Sequence, residues 1–133
     1  MAKGKILIVD DEEIVLIAFQ RELERAGYEA QTAPGGKEGL ELVKNGAFDI
    51  VYTDLVMPGM NGVELCKEIR KVSPRTRVIL ISGHSEHVMK FSTLFVLAGG
   101  QDEILSKPLG DGELVRTTEK MMAEIGNKRG EKR

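Results

Sequence analysis

Asp49-Ile50-Val51-Tyr52-Thr53-Asp54, followed by Leu55-Val56-Met57-Pro58-Gly59-Met60-Asn61-Gly62, is the stretch whose reading decides the fold. The first half is a β-branched, apolar run of strand length. The second half, with Pro58, Gly59 and Gly62, cannot easily continue as strand. A carboxylate, Asp54, is therefore delivered to the end of a buried strand. The same arrangement recurs outward along the chain. Lys5-Ile6-Leu7-Ile8-Val9 ends in Asp10-Asp11, Val78-Ile79-Leu80-Ile81 ends in Ser82, and Glu103-Ile104-Leu105-Ser106 ends in Lys107-Pro108.

Between these runs lie longer segments with helical spacing, so the chain reads as repeated βα units, five strands and five helices. The first helix should start near Glu12, with Val15, Phe19, Leu23 and Ala26 on one face, and stop at Gly27. Glu29 to Ala33 is a weak strand. After Pro34-Gly35-Gly36 a helix carries Leu40 and Val43 and closes at Asn45-Gly46. Gly62 to Val72 gives a helix with Val63, Cys66 and Ile69 inward, ended by Ser73-Pro74. The fourth helix, in Glu86 to Ala98, is dense in apolar residues (Phe91, Leu94, Phe95, Val96, Leu97), enough to leave some of them exposed or available for pairing. The last, from about Asp111 as N-cap to Ile125, presents Leu114, Val115, Thr118, Met121, Met122 and Ile125. Right-handed crossovers then give an α/β fold, a single-domain (βα)5 doubly wound parallel sheet with the flavodoxin-like strand order 2-1-3-4-5.

Bulk properties set limits. A chain of 133 residues, 41% hydrophobic, is expected to form one domain with one buried core. A net charge of −2 with 30% charged residues of both signs suggests neither direct nucleic-acid binding nor an anionic membrane surface. The lone Cys66 excludes an intramolecular disulfide and fits a reducing compartment. With no apolar run of membrane-spanning length and no apolar leader, the expected location is cytoplasmic. Residues 127–133 are basic and polar and are expected to be a short disordered tail.

In an open parallel sheet all strand C-terminal ends lie on one rim, where ligands bind. That rim would gather Asp10, Asp11, Asp54, the Ser82 hydroxyl and the Lys107 ammonium. Two carboxylates 4 Å apart repel by ~4 kcal/mol at an effective dielectric of 20, so the acids need compensation. A hard divalent cation provides it, and magnesium, which takes few carboxylates plus waters and phosphate oxygens, fits better than calcium, for which no twelve-residue oxygen-rich loop is present. A carboxylate so neutralised can attack phosphorus and form an aspartyl phosphate. Asp54 is the nucleophile candidate, because it stands alone at a strand end between the others. Lys107 and Ser82 would stabilise the transferring phosphoryl group. His84 and His87 form a conceivable metal pair, with solvated surface histidines as the plainer reading.

Asp10-Asp11, Asp54 with Met57-Pro58-Gly59 and Gly62, Ser82-Gly83 and Lys107-Pro108 together resemble the receiver domain of bacterial two-component response regulators, CheY-like, over about Lys5 to Ile125. The resemblance implies a receiver domain over residues 1–126, in which Asp54 accepts phosphate from a sensor histidine kinase or a phosphotransfer protein. It implies magnesium, with manganese as a substitute ion, organised by Asp10, Asp11, Asp54 and the Val56 backbone carbonyl, and a cis Lys107-Pro108 bond. Phosphorylation would draw Ser82 inward and bias the surface of helix four, strand five and helix five, to control an unknown downstream effector or a homodimer. Self-dephosphorylation would be the extent of its catalysis; a metabolic enzyme is not expected.

Two features depart from the family pattern. Ile104 occupies the switch position three residues before the lysine, where receivers usually carry an aromatic. The segment from Ser82 to Lys107 is also longer than usual, with Gly99-Gly100-Gln101 in place of a tighter turn. Two other classes fit less well. A phosphohydrolase using an aspartyl phosphate would carry a second acid two residues after the nucleophile, where this chain has Val56. A nucleotide-binding flavodoxin-like module would carry a glycine-rich loop after the first strand, where acids stand instead.

Overall fold

The computed structural model describes residues 2–83 and 85–131, with side chains throughout except at 85–89 and 128–131. Its elements are β1 (Lys5–Val9), α1 (Glu13–Arg25), β2 (Glu29–Ala33), α2 (Gly36–Asn45), β3 (Ile50–Asp54), α3 (Gly62–Val72), β4 (Arg77–Ser82), α4 (Ser85–Leu97), β5 (Ile104–Ser106) and α5 (Glu113–Glu131). All pairings are parallel and the strand order is β2-β1-β3-β4-β5, as the alternating pattern predicts.

Because strand side chains alternate between faces, the sheet divides the apolar residues into two cores. Ile6, Ile8, Ile50, Tyr52, Ile79 and Ile81 meet Leu23 of α1 and Leu114 and Met121 of α5. Leu7, Val9, Val51, Val78 and Leu80 meet Val43 of α2, Leu65, Cys66 and Ile69 of α3, and Phe95 of α4. The weakly apolar β2 is tolerated because it lies at the sheet edge. Tyr52, wholly buried, donates its hydroxyl to Thr118 Oγ1 at 2.6 Å, and Thr118 passes its own proton to the Leu114 carbonyl at 2.8 Å. Among the described residues no helix is long and apolar enough to cross a membrane.

The helices differ from the sequence reading in detail. In α1 the buried residues are Leu16 and Leu23, with Val15 and Phe19 only partly covered. A capping box opens α3, the Asn61 side chain accepting from the Glu64 N–H and the Glu64 carboxylate from the Asn61 N–H. The expectation that Asp111 caps α5 is corrected. Gly112, with φ +72, turns the chain between Asp111 and Glu113. The Glu113 carboxylate accepts the Gly110 N–H at 2.8 Å, while Asp111 offers its carbonyl to the Arg116 guanidinium. At its other end α5 does not stop near Ile125 but continues to Glu131. In Gly126-Asn127-Lys128-Arg129-Gly130-Glu131 the Lys, Arg and Glu are good helix formers, and each of the two glycines costs only about 1 kcal/mol in a helix.

Candidate functional site

Strand register brings the acids to one rim. Val9 is aligned with Thr53, and Asp54 with Ile81, so Asp10 and Asp54 emerge side by side from β1 and β3. Asp10 is 2% exposed and fully engaged: Oδ1 accepts the Glu12 N–H at 2.9 Å and Oδ2 accepts from Lys107 Nζ at 2.6 Å. Asp54 is 6% exposed; Oδ1 accepts the Leu55 N–H at 2.8 Å, and Oδ2 lies 3.5 Å from Lys107 Nζ. Asp11 is exposed, yet one carboxylate oxygen from each of Asp10, Asp11 and Asp54 lies within 4.8 Å of the others.

This proximity has an electrostatic cost that shows in the titration of the groups. Burial is the main cause that raises the Asp54 pKa above the ordinary carboxylate value; the Asp10 charge adds to it, and Lys107 and the Leu55 N–H only partly oppose it. For Lys107, burial alone favours the neutral amine. The hydrogen bond to Asp10 and the fields of Asp54, Asp10 and Glu12 together outweigh burial and leave its pKa above the ordinary lysine value. One ammonium thus faces the carboxylates of Asp10, Asp54 and, at 3.9 Å, Glu12. The site carries excess negative charge, all of it on hard oxygen donors, one of them open to solvent. That donor set suits a small divalent cation that keeps several waters.

The backbone around Asp54 is tightly held. Thr53 Oγ1 donates to the Asp54 carbonyl at 2.9 Å, and the Gly62 N–H donates to the Leu55 carbonyl at 2.9 Å. A side chain at Gly62 would place its Cβ 2.5 Å from the Asp54 carbonyl oxygen, so only glycine lets α3 start this close to the strand end. Ser82 is buried at the end of β4, and its carbonyl accepts the Lys107 N–H at 2.9 Å, which ties β4 to the start of the cis Lys107-Pro108 bond. Val56 is exposed in the loop after β3. Ile104 is half-buried and packs on the α2/α3/α4 side of the sheet. The His84/His87 pair lies outside the described side chains. Burial, slightly opposed by Arg70, pushes the Cys66 thiol up to about 11, which marks it as a packing residue.

Three contributors were not singled out from sequence as parts of the site: Glu12, which both donates to Asp10 and faces Lys107; Thr53; and the steric role of Gly62. Glu12 was readable, since it directly follows the acid pair. Thr53 and Gly62 act on backbone atoms of Asp54 and Leu55, for which a sequence carries no direct signal.

Comparison with known proteins agrees with this geometry. The family model for the response regulator receiver domain matches residues 6–119. Chemotaxis protein CheY of Thermotoga maritima is 34% identical over 118 residues, covering 88% of this chain and 96% of that protein. The uncharacterized transcriptional regulatory protein YkoG of Bacillus subtilis is 33% identical over 128 residues, 96% of this chain but 55% of that protein; the chain spans about half the length of such regulators. The crystal structure of response regulator TrrA from Thermotoga maritima, in complex with Mg2+-BeF, superposes with a TM-score of 0.78 at 36% identity and covers 89% of this chain and 98% of that one. With an acidic pocket that fits a phosphorylation site at the rim of this fold, the chain belongs to the response regulator receiver domain family.

Proposed function

We propose that this receiver accepts a phosphoryl group on Asp54 and uses it to alter the α4–β5–α5 surface. The observation that carries the proposal is the meeting of Asp10, Asp11 and Asp54 within 4.8 Å of one another beside the Lys107 ammonium. An Asp54 carboxylate oxygen attacks the phosphorus of a phosphohistidine. The O–P bond forms, the P–N bond breaks, and the imidazole nitrogen leaves with the electron pair and takes a proton from water. Lys107 contributes a point charge to the phosphoryl oxygens, and Ser82 a hydroxyl. Magnesium, or manganese in its place, would be held by Asp10, Asp11, Asp54 and the Val56 carbonyl, and would supply positive charge to the transferring group; the Mg2+-BeF complex of TrrA supports this ligand class.

The phosphoryl donor would be a sensor histidine kinase or phosphotransfer protein. A groove beside the site supports docking of such a protein, lined by Ile14, Ala18, Phe19, Pro108 and Leu109, with Ile14 83% exposed. Output would pass to an effector or a second copy. Leu94, Val96 and Leu97 stand exposed on α4 and supply an apolar contact there. The Ile104 side chain cannot act as an aromatic switch, so the response would travel through Ser82 and the start of α4.

The test is incubation with acetyl phosphate and magnesium, read by intact mass. Wild type should gain one phosphoryl group, and Asp54→Asn or chelator should abolish the gain. Equal labelling of Asp54→Asn would refute the assignment.

A further inference from the structure

Met60 and Gly36 form a clasp that fixes the loop carrying Val56, and we infer that both are positioning residues for the cation. This rests on the reading above, in which the Val56 carbonyl joins the three carboxylates. The loop, residues 55–61, is closed at its base by Gly62, whose N–H holds the Leu55 carbonyl at 2.9 Å. Met57 is buried in the core on the α2/α3/α4 side. Val56, Pro58 and Gly59 are exposed, so they receive little support from the core. The far end of the loop is held by the Asn61–Glu64 capping box and, on the α2 side, by Met60. Its side chain crosses the first turn of α2 at the buried Gly36, so closely that a Cβ there would lie 2.9 Å from Met60 Cβ and 3.1 Å from Cγ and Sδ.

The arrangement has a chemical purpose. A backbone carbonyl has no rotamer of its own, so its aim is set wholly by the residues that hold the loop. A small divalent ion with near-octahedral demands tolerates little error in that aim. Groups that orient metal ligands without touching the metal commonly change affinity by about 10- to 100-fold when altered. Gly36 is the informative position, because alanine is the better helix former. Gly36→Ala should therefore leave α2 intact while pushing Met60, and with it the loop, outward.

The experiment is a calorimetric titration of the unphosphorylated protein with Mg2+ alone, alongside urea denaturation in chelator. Met60→Ala and Gly36→Ala should each weaken Mg2+ binding by roughly tenfold. The double variant should bind no better than either single variant, since alanine at position 60 keeps the Cβ that would lie 2.9 Å from the added methyl. Met60→Leu, which keeps the Cβ and Cγ that lie on Gly36, should bind within about twofold of wild type. Should Met60→Ala fail to fold, Gly36→Ala with Met60→Leu carries the test. Wild type and both single variants binding Mg2+ equally would overturn the clasp and leave the phosphoacceptor reading standing. Wild type binding no Mg2+ would overturn that reading, and the clasp with it.

Discussion

Lys107 Nζ sits 2.6 Å from Asp10 Oδ2 and 3.5 Å from Asp54 Oδ2, so the ammonium is bound first to the carboxylate that flanks the end of the central strand. Asp54 keeps one oxygen on the Leu55 N–H and the other on the edge of the Lys107 field. The buried carboxylate least relieved of its charge is thus the one proposed to react.

Replacing Lys107 with alanine removes the compensation for Asp10. We expect a loss of about 2 kcal/mol at neutral pH without metal, below the roughly 3–5 kcal/mol of a fully buried pair because this site opens to water. The raised lysine pKa fixes the pH dependence. The stabilisation is fully present below the unfolded value of 10.5 and is lost as pH rises through the folded value, so wild type and variant should converge in strong alkali. Urea denaturation across that range checks this, and saturating Mg2+ should restore part of the loss at neutral pH.

Asp54→Asn should make the metal-free protein more stable at neutral pH. The folded pKa of Asp54 is raised, chiefly by burial, so its contribution is favourable below the unfolded value of 3.8 and is lost as pH rises through the folded value. The advantage of the variant should therefore vanish in acid below that value. Thermal melts of both proteins in chelator from acid to neutral pH measure the difference directly. A variant that is less stable at neutral pH would contradict the burial argument.

The Tyr52–Thr118 pair gives an asymmetric prediction. Tyr52→Phe removes a donor and leaves Thr118 bonded to the Leu114 carbonyl, so it should cost about 1 kcal/mol. Thr118→Val strands a wholly buried tyrosine hydroxyl and should cost about 2 kcal/mol. Chemical denaturation of the two single variants and the double variant separates the terms. The double variant should cost less than Thr118→Val alone and lie close to Tyr52→Phe, because the stranded group is then gone.

The fold was legible because its determinants are periodic. β-branched runs ending in Asp10, Asp54, Ser82 and Lys107 announce parallel strands, and in a parallel sheet those ends must share a rim. Asp10, Asp11, Asp54 and Lys107 converge as read, and Lys107-Pro108 is cis. Less legible was anything decided by close approach rather than by side-chain type. Asp111 has the chemistry of an N-cap, but the positive φ of Gly112 places the helix start beyond it. Leu16 rather than Val15 is buried in α1, a rotation of one position that spacing alone does not resolve. Gly36 and Gly62 read as turn residues, yet each is bare because another chain segment fills the space a side chain would need.

The most direct test is to phosphorylate the protein with acetyl phosphate and magnesium, reduce the product with borohydride, which converts an aspartyl phosphate to homoserine, and map the converted residue by peptide mass spectrometry. We expect conversion at Asp54 alone, and none in chelator. Conversion at Asp10 or Asp11, or none anywhere despite magnesium, would contradict the assignment of the carboxylate at the end of β3 as the phosphoryl acceptor.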